Sequence, residues 1–374
     1  MQTTILKKDF INALTIGGAM AGKHKVIPIL EYAKCKVKGN SLVVSSFDSE
    51  CATLKKVGVI SSDGDGDFCV ICSDLLRIIK SLKDETISFS VEDGKMSIIH
   101  EKGTATLPTV DGKDFPTISK GNKDNNIEFS LDGIMLTDWL TTGRNFACND
   151  NGLRPVLCGL YLYSKKNGDC ERCIGCCATD ANYLYTDKVE TEQDVDFSVV
   201  LSNRAFAPLT SIISNADEVH VVIDDKNITF SVNDAKLACR KVEGNYPNFE
   251  AIIPTTCNTK CFVDTSSVMD TLGRISLCAS DSVPMLKLAI TDGQMSVSAE
   301  NIDFAKKAEE KIAAQKDGTD VNIWLSPSKL QTCFSNINEQ SCLCEFTDGS
   351  RAMVLKEPSS RYKTILLMPM QKPQ

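Results

Sequence analysis

A chain of 374 residues is too long for one ordinary hydrophobic core and points to two or three domains of the usual ~100–200 residues. An apolar content of 42% and a charged content of 24% belong to a globular protein; no apolar run approaches the ~18 residues of a spanning helix, and "MQTTILKKDF" meets a charged pair too early for a signal peptide, so a cytoplasmic chain with no membrane role is expected. The net charge of −8 argues against holding nucleic acid by bulk electrostatics alone, while leaving room for basic groups gathered on one face.

The first element, "TILKKDFINALTIGG", reads as strand, polar turn and helix, and leads into the extended "LVVSSFDSECATLKK" with its acidic corner. "DGDGD" at 63–67 imitates the opening of a calcium loop. The sixth loop position is Phe68 where glycine is needed and the twelfth is Asp74 where glutamate is needed, so a solvated turn before a strand is expected. "DFCVICS" gives that strand and ends at Ser73, an expected N-cap for the helix pattern "DLLRIIKSLKD". Leu75, Ile78, Ile79 and Leu82 follow i, i+3, i+4, i+7 spacing and should pack on a sheet, which sends Arg77, Lys80 and Lys83 outward. A hairpin, "ISFSV/MSIIH" around "EDGK", closes the segment.

This pattern returns twice. "DFSVVLS" (196–202) precedes "NRAFAPLTSII" and the hairpin "VHVVI/ITFSV"; "DVNIWLS" (320–326) precedes "PSKLQTCFSNI" and the hairpin "CLCEF/RAMVL". Ser202 and Ser326 are the matching N-caps, although Pro208 should kink the second of these helices or delay its start. The opening unit is repeated as well, in "IEFSLDGIMLTDWLTTG" and "CFVDTSSVMDTLGRIS". From Asp67 to Asp196 is 129 residues and from Asp196 to Asp320 is 124, the length of one domain. With the polar stretches "KGNKDNN" and "PTTCNTK" as linkers, the expectation is an α+β protein of three repeated domains, 1–124, 125–257 and 258–374, each with two helices on antiparallel sheets of about eight strands.

The helices after the second also carry basic residues: Arg144, Arg204, Arg274 and Lys329, with Lys7 and Lys8 on the first. A basic outer face recurring on six helices of an acidic protein suggests a shared surface for a polyanion. Catalytic signals are missing. There is no phosphate-binding loop of either common type, and none of His24, His100 and His220 stands in a triad or metalloprotease pattern, so no enzymatic activity and no cofactor are indicated. "CERCIGCC" places Cys170, Cys173, Cys176 and Cys177 at overlapping C-x-x-C spacings that suit tetrahedral zinc. Lacking a second separated pair or a nearby histidine, it reads as a Cys-rich strand in a chain with 17 cysteines, and no metal site is assigned. In a reducing compartment these cysteines should be buried thiols. The apolar run "YKTILLMPMQ" (361–370) must be a paired strand or a surface that something covers.

Five segments, in order, resemble the bacterial sliding clamp family, the beta subunit of DNA polymerase III: "VIPIL" (26–30), "TLPTVDGKDFP" (106–116), "ATDANYL" (178–184), "VEGNYPNF" (242–249) and "LLMPM" (366–370). The resemblance spans the chain. It implies a DNA clamp fold and a head-to-tail homodimeric ring of six domains, with twelve helices lining a hole around duplex DNA. The function implied is that of a non-catalytic processivity factor whose partners are the replicative polymerase, the clamp loader and repair proteins carrying short linear motifs. Matching positions put Lys23, His24, Lys25 and Arg154 near DNA, beside Arg77, Lys80, Arg144, Arg204 and Arg274 of the helices, and make Leu107 and Leu277 apolar subunit contacts. A hydrophobic peptide cleft would comprise Leu157, Thr179, Leu184, Pro247, Ile252, Leu366 and Met368, with Met370 at its rim. In the terminal strand Ile365 and Leu367 would then tie the chain down while Leu366 and Met368 face the partner. Two departures fall at this cleft: Ala181, Asn182 and Tyr183 replace a Gly-His-Arg type of sequence, and "QKPQ" follows the "MPM". Two other classes fit parts of the chain. A β-rich interaction scaffold with no DNA role needs no basic helix face, and a zinc enzyme needs an acid or base beside the cysteines.

Overall fold

The computed structural model describes every residue except 23–25, 120, 123–125, 150–153, 168–170, 215 and 372–374. Among the described residues are six α-helices: α1 (Lys7–Gly17), α2 (Cys72–Ser81), α3 (Gly133–Phe146), α4 (Phe206–Ile213), α5 (Thr265–Ile275) and α6 (Pro327–Ser335). α1, α3 and α5 each follow a strand without a break, namely Gln2–Leu6, Ile127–Asp132 and Thr259–Asp264. The other three are each followed by a hairpin: Thr86–Glu92 with Lys95–His100, Glu218–Ile223 with Asn227–Val232, and Ser341–Phe346 with Met353–Lys356. The first of these turns has Asp93 and Gly94 at φ 49° and 72°, the left-handed pair that a two-residue hairpin loop requires.

Helix entry differs from expectation at two of the three serines. α2 starts at Cys72 with Ile71 in the N-cap position, which puts Ser73 inside the first turn. Ser202 precedes a 3-10 turn, Asn203–Ala205, and α4 begins only at Phe206. The delay suits Pro208, because in the first turn its missing N–H is one that no helix bond would use. Ser326 does hold the N-cap position of α6, ahead of Pro327. Aspartates cap instead where their side chains reach: Asp132 Oδ1 accepts from the Met135 N–H at 2.7 Å and Asp264 Oδ1 from the Ser267 N–H at 2.7 Å.

The strands form two long antiparallel sheets, of 13 and 12 strands among the described residues. In the first, the strands of the opening third continue into Ala235–Arg240, Asn227–Val232, Glu218–Ile223 and Ile127–Asp132 of the middle third, through the pairing of Cys51–Gly58 with Ala235–Arg240. In the second, Gly159–Asn167, Glu171–Thr179 and Tyr183–Thr191 of the middle third continue into the last third through Thr364–Leu367. The middle third is thus divided between two compact units, Met1–Leu140 with Leu201–Val242, and Thr141–Val200 with Glu243–Gln374. Pairing at both seams removes strand edges that would otherwise invite other chains.

In the first unit the core is built where α1 and α2 lie on the sheet. Phe10 of α1 stacks on Phe89 at 5.6 Å, and Ile5, Leu14, Leu75 and Ile79 fill in around them. Leu75 and Ile79 are fully buried, Ile78 and Leu82 half-buried, and Arg77, Lys80 and Lys83 exposed, as the helical spacing predicts. α1 ends against the strand Ser41–Phe47 so closely that a Cβ on Gly17 would lie 2.3 Å from the Val44 carbonyl oxygen, while the Ser46 and Thr53 hydroxyls donate to the Gly17 carbonyl.

Candidate functional site

The middle "ATDANYL" forms a tight corner between the strands Glu171–Thr179 and Tyr183–Thr191. Asp180 Oδ1 accepts from the Asn182 and Tyr183 N–H groups at 2.8 and 3.2 Å. Thr179 Oγ1 accepts from the Ala181 N–H at 3.0 Å and donates to the Tyr183 carbonyl at 2.6 Å. The corner places Ala181 at φ 77°, a left-handed conformation that an L-residue adopts at a cost. Its outer side is pinned by α6: Lys329 Nζ lies 2.5 Å from Asp180 Oδ2 and 4.8 Å from the centroid of the Tyr183 ring. The Tyr183 hydroxyl donates to the Asn145 carbonyl at the end of α3, and burial, with Asp180 adding to it, pushes the phenol up to about 12. Lys329 is therefore spent on this corner and is not an outward-facing cation.

The terminal strand is tied on both sides. Leu366 stands opposite Leu184 on one neighbour and opposite Val354 on the other, the Met368 N–H donates to the Asn182 carbonyl, and the Met370 N–H donates to the Trp324 carbonyl. The expected alternation places residues correctly but not their exposure: Ile365, Leu366 and Leu367 are all buried, because Leu366 shares a cluster with Tyr163, Leu184, Phe249 and Val354. Segment 246–253 covers that face. What remains open is Met368, 39% exposed, with Met370 half-buried, Ile252 46% exposed and Pro247 exposed. Thr179, opposite Leu184, and Leu157, in the 3-10 turn Pro155–Leu157, are buried. Of the eight predicted cleft positions, Leu157, Thr179, Leu184 and Leu366 are buried, while Pro247, Ile252 and Met368 are exposed and Met370 is half-buried.

Sequence reasoning missed a cluster of aromatic side chains that includes Phe249, which packs with Leu184 and Leu366. Tyr161 and Tyr246 stack at 4.4 Å with 4° between their planes, and Tyr163 and Phe249 lie 5.6 Å apart. They border a depression of about 560 Å³ that includes Pro247, with Lys165 and Glu250 paired at 2.5 Å on its edge. Burial, and then the neighbouring Cys177, raise the Tyr246 phenol well above its ordinary range, so it stays protonated and donates to the Cys177 carbonyl. The available signal was the period-2 aromatic pattern of "GLYLYS" answered by "NYPNF".

Arg77, 80% exposed by side chain and 3.7 Å from Asp74, and Lys80 occupy the outer side of α2; Arg144 is exposed in the last turn of α3 and Arg154 is exposed just before Pro155. Arg204 sits on the 3-10 turn ahead of α4 and bridges Asp48 and Glu50 at 3.5 Å each. α4 itself carries no basic residue. Arg274 is held by both carboxylate oxygens of Glu310, at 2.6 and 2.8 Å. The Lys7 Nζ donates to the Leu82 carbonyl. Of these cations, Arg204 and Arg274 are each held by carboxylates, Arg77 has a longer contact with Asp74, and Lys80, Arg144 and Arg154 are exposed. Lys23, His24 and Lys25 lie outside the described residues. Leu107 is half-buried against its own core and Leu277 is 76% exposed; Ile302 and Phe304, 85% and 64% exposed, are further apolar positions that sequence reasoning passed over.

"DGDGD" is a turn whose carboxylates are engaged separately: Asp63 with the Gln2 N–H, Asp65 with the Gly39 N–H and Asp67 with Lys34 and Lys36. Cys170 lies outside the described residues. Cys176 and Cys177 are adjacent in an extended strand and so face opposite ways, and burial raises both thiols.

The fold is that of three-domain clamps: the crystal structure of the DNA polymerase III beta subunit from Thermotoga maritima matches with a TM-score of 0.91 at 21% identity, over 100% of both chains. Models of the DNA polymerase III beta subunit match in succession, the N-terminal domain over residues 1–119, the central domain over 140–248 and the C-terminal domain over 250–371. The chain belongs to the DNA polymerase III beta subunit family. Similar curated proteins include the beta sliding clamp of Pseudomonas aeruginosa, 22% identical over 99% of this chain and 100% of that one, and the beta sliding clamp of Bacillus subtilis, 22% identical over 99% of each.

Proposed function

We propose that this chain is the processivity clamp of a replicative DNA polymerase, a non-catalytic subunit that closes as a ring of two copies around duplex DNA. The observation that carries the reading is the succession of three clamp-domain matches along a chain whose strand–helix unit recurs six times. The domains in this reading are 1–124, 125–257 and 258–374. A head-to-tail contact whose rotation closes gives a ring of finite size, and Leu107 and Leu277 are the apolar positions proposed to meet across it. Phosphate contacts from Arg77, Lys80, Arg144, Arg154 and the 23–25 stretch, with Arg204 and Arg274 more weakly because each already holds carboxylates, carry no sequence information and can be exchanged as the ring moves.

The Leu184–Leu366 floor and the Met368–Met370 rim serve in this reading as a docking cleft for short linear motifs of the polymerase, the loader and repair proteins. Flexible methionines at the rim suit a site that accepts several sequences. The test is topological. Native mass should be twice 40.9 kDa, and protein loaded on circular DNA should be lost when the circle is cut. A monomer, or equal retention on linear and circular DNA, overturns the reading.

A further inference from the structure

Sixteen cysteines among the described residues are free thiols. Two of them face each other across a seam. Cys51 opens the strand Cys51–Gly58, Cys239 lies near the end of Ala235–Arg240, and the register sets the two directly opposite where the opening third of the chain is joined to the middle third. The Arg240 N–H donates to the Glu50 carbonyl at 2.9 Å, a bond between the residues flanking the pair. Cys51 and Cys239 are therefore a non-hydrogen-bonded antiparallel pair, the kind whose Cα atoms come to about 4.5 Å and whose side chains approach most closely. That spacing falls within the roughly 4.4–6.8 Å that a disulfide spans. The two sulfurs are 2.9 Å apart, within an ångström of the ~2.05 Å of a bonded pair. The strand register therefore suits a bond between the two side chains.

We propose that Cys51 and Cys239 are a reversible dithiol–disulfide couple, a modification site that takes a peroxide oxidant and clasps the two strands of this seam together. Cys51 donates its S–H to Cys239, and this bond, with burial, keeps Cys51 protonated. Either sulfur makes the first attack, since Cys239 also donates an S–H, to the Arg240 carbonyl at 3.5 Å. The attacking sulfur gives up its proton and takes one oxygen of hydrogen peroxide as the O–O bond breaks, and the second oxygen leaves as hydroxide and takes up that proton to become water. The other sulfur then gives up its proton and displaces the oxygen of the sulfenic acid, forming the S–S bond and releasing a second water. Two thiols lose two electrons and two protons, and the peroxide is reduced to two waters.

Both thiols are buried, and the entry proposed for the oxidant is the corner before Cys51. That corner holds Ser49 at φ 79° and is closed from outside by Arg204, which bridges Asp48 and Glu50. The corner is also held by the Cys51 N–H, which donates to Asp48 Oδ1 at 2.6 Å, and by the Asp48 N–H, which donates to the Cys51 carbonyl at 3.0 Å. In this proposal, parting of the Arg204 ion pairs is the step that admits the oxidant.

The test is hydrogen peroxide treatment of the full-length protein followed by non-reducing peptide mapping. The expected product joins the Cys51 and Cys239 peptides, is two hydrogens lighter, melts at a higher temperature than the untreated protein and reverts with dithiothreitol. Neither Cys51→Ser nor Cys239→Ser should form the cross-link, and in each the remaining thiol should be trapped by dimedone as a sulfenic acid. Arg204→Ala should speed cross-linking severalfold in a chain that retains both thiols, so the proposal stays testable if either serine variant misfolds. Oxidation of the exposed Cys257 while Cys51 and Cys239 both remain alkylatable overturns the couple, as does linkage of either to another cysteine. An unchanged rate in Arg204→Ala overturns the entry route.

Discussion

The Lys329 ammonium is held between the Asp180 carboxylate, at 2.5 Å, and the face of the Tyr183 ring, at 4.8 Å, so that one cation of α6 fixes the corner over which the terminal strand is laid. The pair is mostly buried, with side chains 27% and 19% exposed, which places its loss between that of surface and interior ion pairs. Lys329→Ala should destabilise the protein by about 1–3 kcal/mol in urea unfolding. It should also weaken binding of a polymerase-derived peptide in calorimetric titration, because the Asn182 carbonyl that receives Met368 is no longer fixed. Unchanged stability would show that the corner stands without its pin.

Leu366 and Met368 are two residues apart and should behave oppositely. Leu366→Ala empties a fully buried position and should cost about 2–5 kcal/mol of stability. Met368→Ala, at an exposed position, should leave stability within ~0.5 kcal/mol and cost ~1–2 kcal/mol of peptide affinity. Equal peptide affinity in Met368→Ala would remove the rim from the cleft.

Ala181 occupies a left-handed backbone conformation, φ 77°, that favours glycine. An L-residue in the left-handed region costs ~1–2 kcal/mol, and part of the relief from glycine is returned as entropy of the unfolded chain. Ala181→Gly should therefore stabilise the protein by roughly 0.5–1 kcal/mol. A destabilised variant would mean that the Ala181 methyl makes contacts worth more than the strain.

On DNA, Arg77→Ala and Lys80→Ala should each flatten the dependence of log affinity on log salt by about 0.9, one released counterion apiece. Arg274→Ala should change it less, because the Glu310 carboxylate already answers that charge. Loading assays across a salt series distinguish the three, and equal slopes for all would mean that DNA displaces Glu310.

Asp264 caps α5 through the Ser266 hydroxyl and the Ser267 N–H, and these hydrogen bonds, foremost that from Ser266, hold its carboxyl at about 2. A group whose pKa is depressed in the folded state stabilises fully above its unfolded value of about 3.9 and loses that contribution as pH falls through the folded value. Asp264→Asn keeps an oxygen acceptor but cannot titrate. Between pH 4 and pH 2 its urea midpoint should fall less steeply than that of the parent, and parallel curves would discard the assignment.

The repeat was legible because each copy carries its own local signals. Period-2 strands, the i, i+3, i+4, i+7 spacing of Leu75 to Leu82 and Asp-Gly turns all act within a few residues. Helix entry was less so: Ser73 and Ser202 resemble caps, but the strand before each hands directly into a helical turn. Alternation in 365–368 gave the two faces of a strand without revealing that Phe249 and Tyr163, far off in the chain, close over one of them. The Asp180–Lys329 pin spans 149 positions and leaves no pattern in the sequence. The cleft positions came from family resemblance alone.

The two strand seams share a separation: Lys55 pairs with Ala235, and Tyr185 with Ile365, each pair 180 positions apart. A ribosome adding ~5–20 residues per second delivers the second strand of a seam about 10–35 seconds after the first. For that interval the nascent chain displays a bare strand that its own sequence cannot yet satisfy, and in a polysome the nearest complementary strand belongs to a neighbouring copy. Slower translation lengthens that interval, a delay far shorter in proteins whose sheets are closed by strands close together in the sequence.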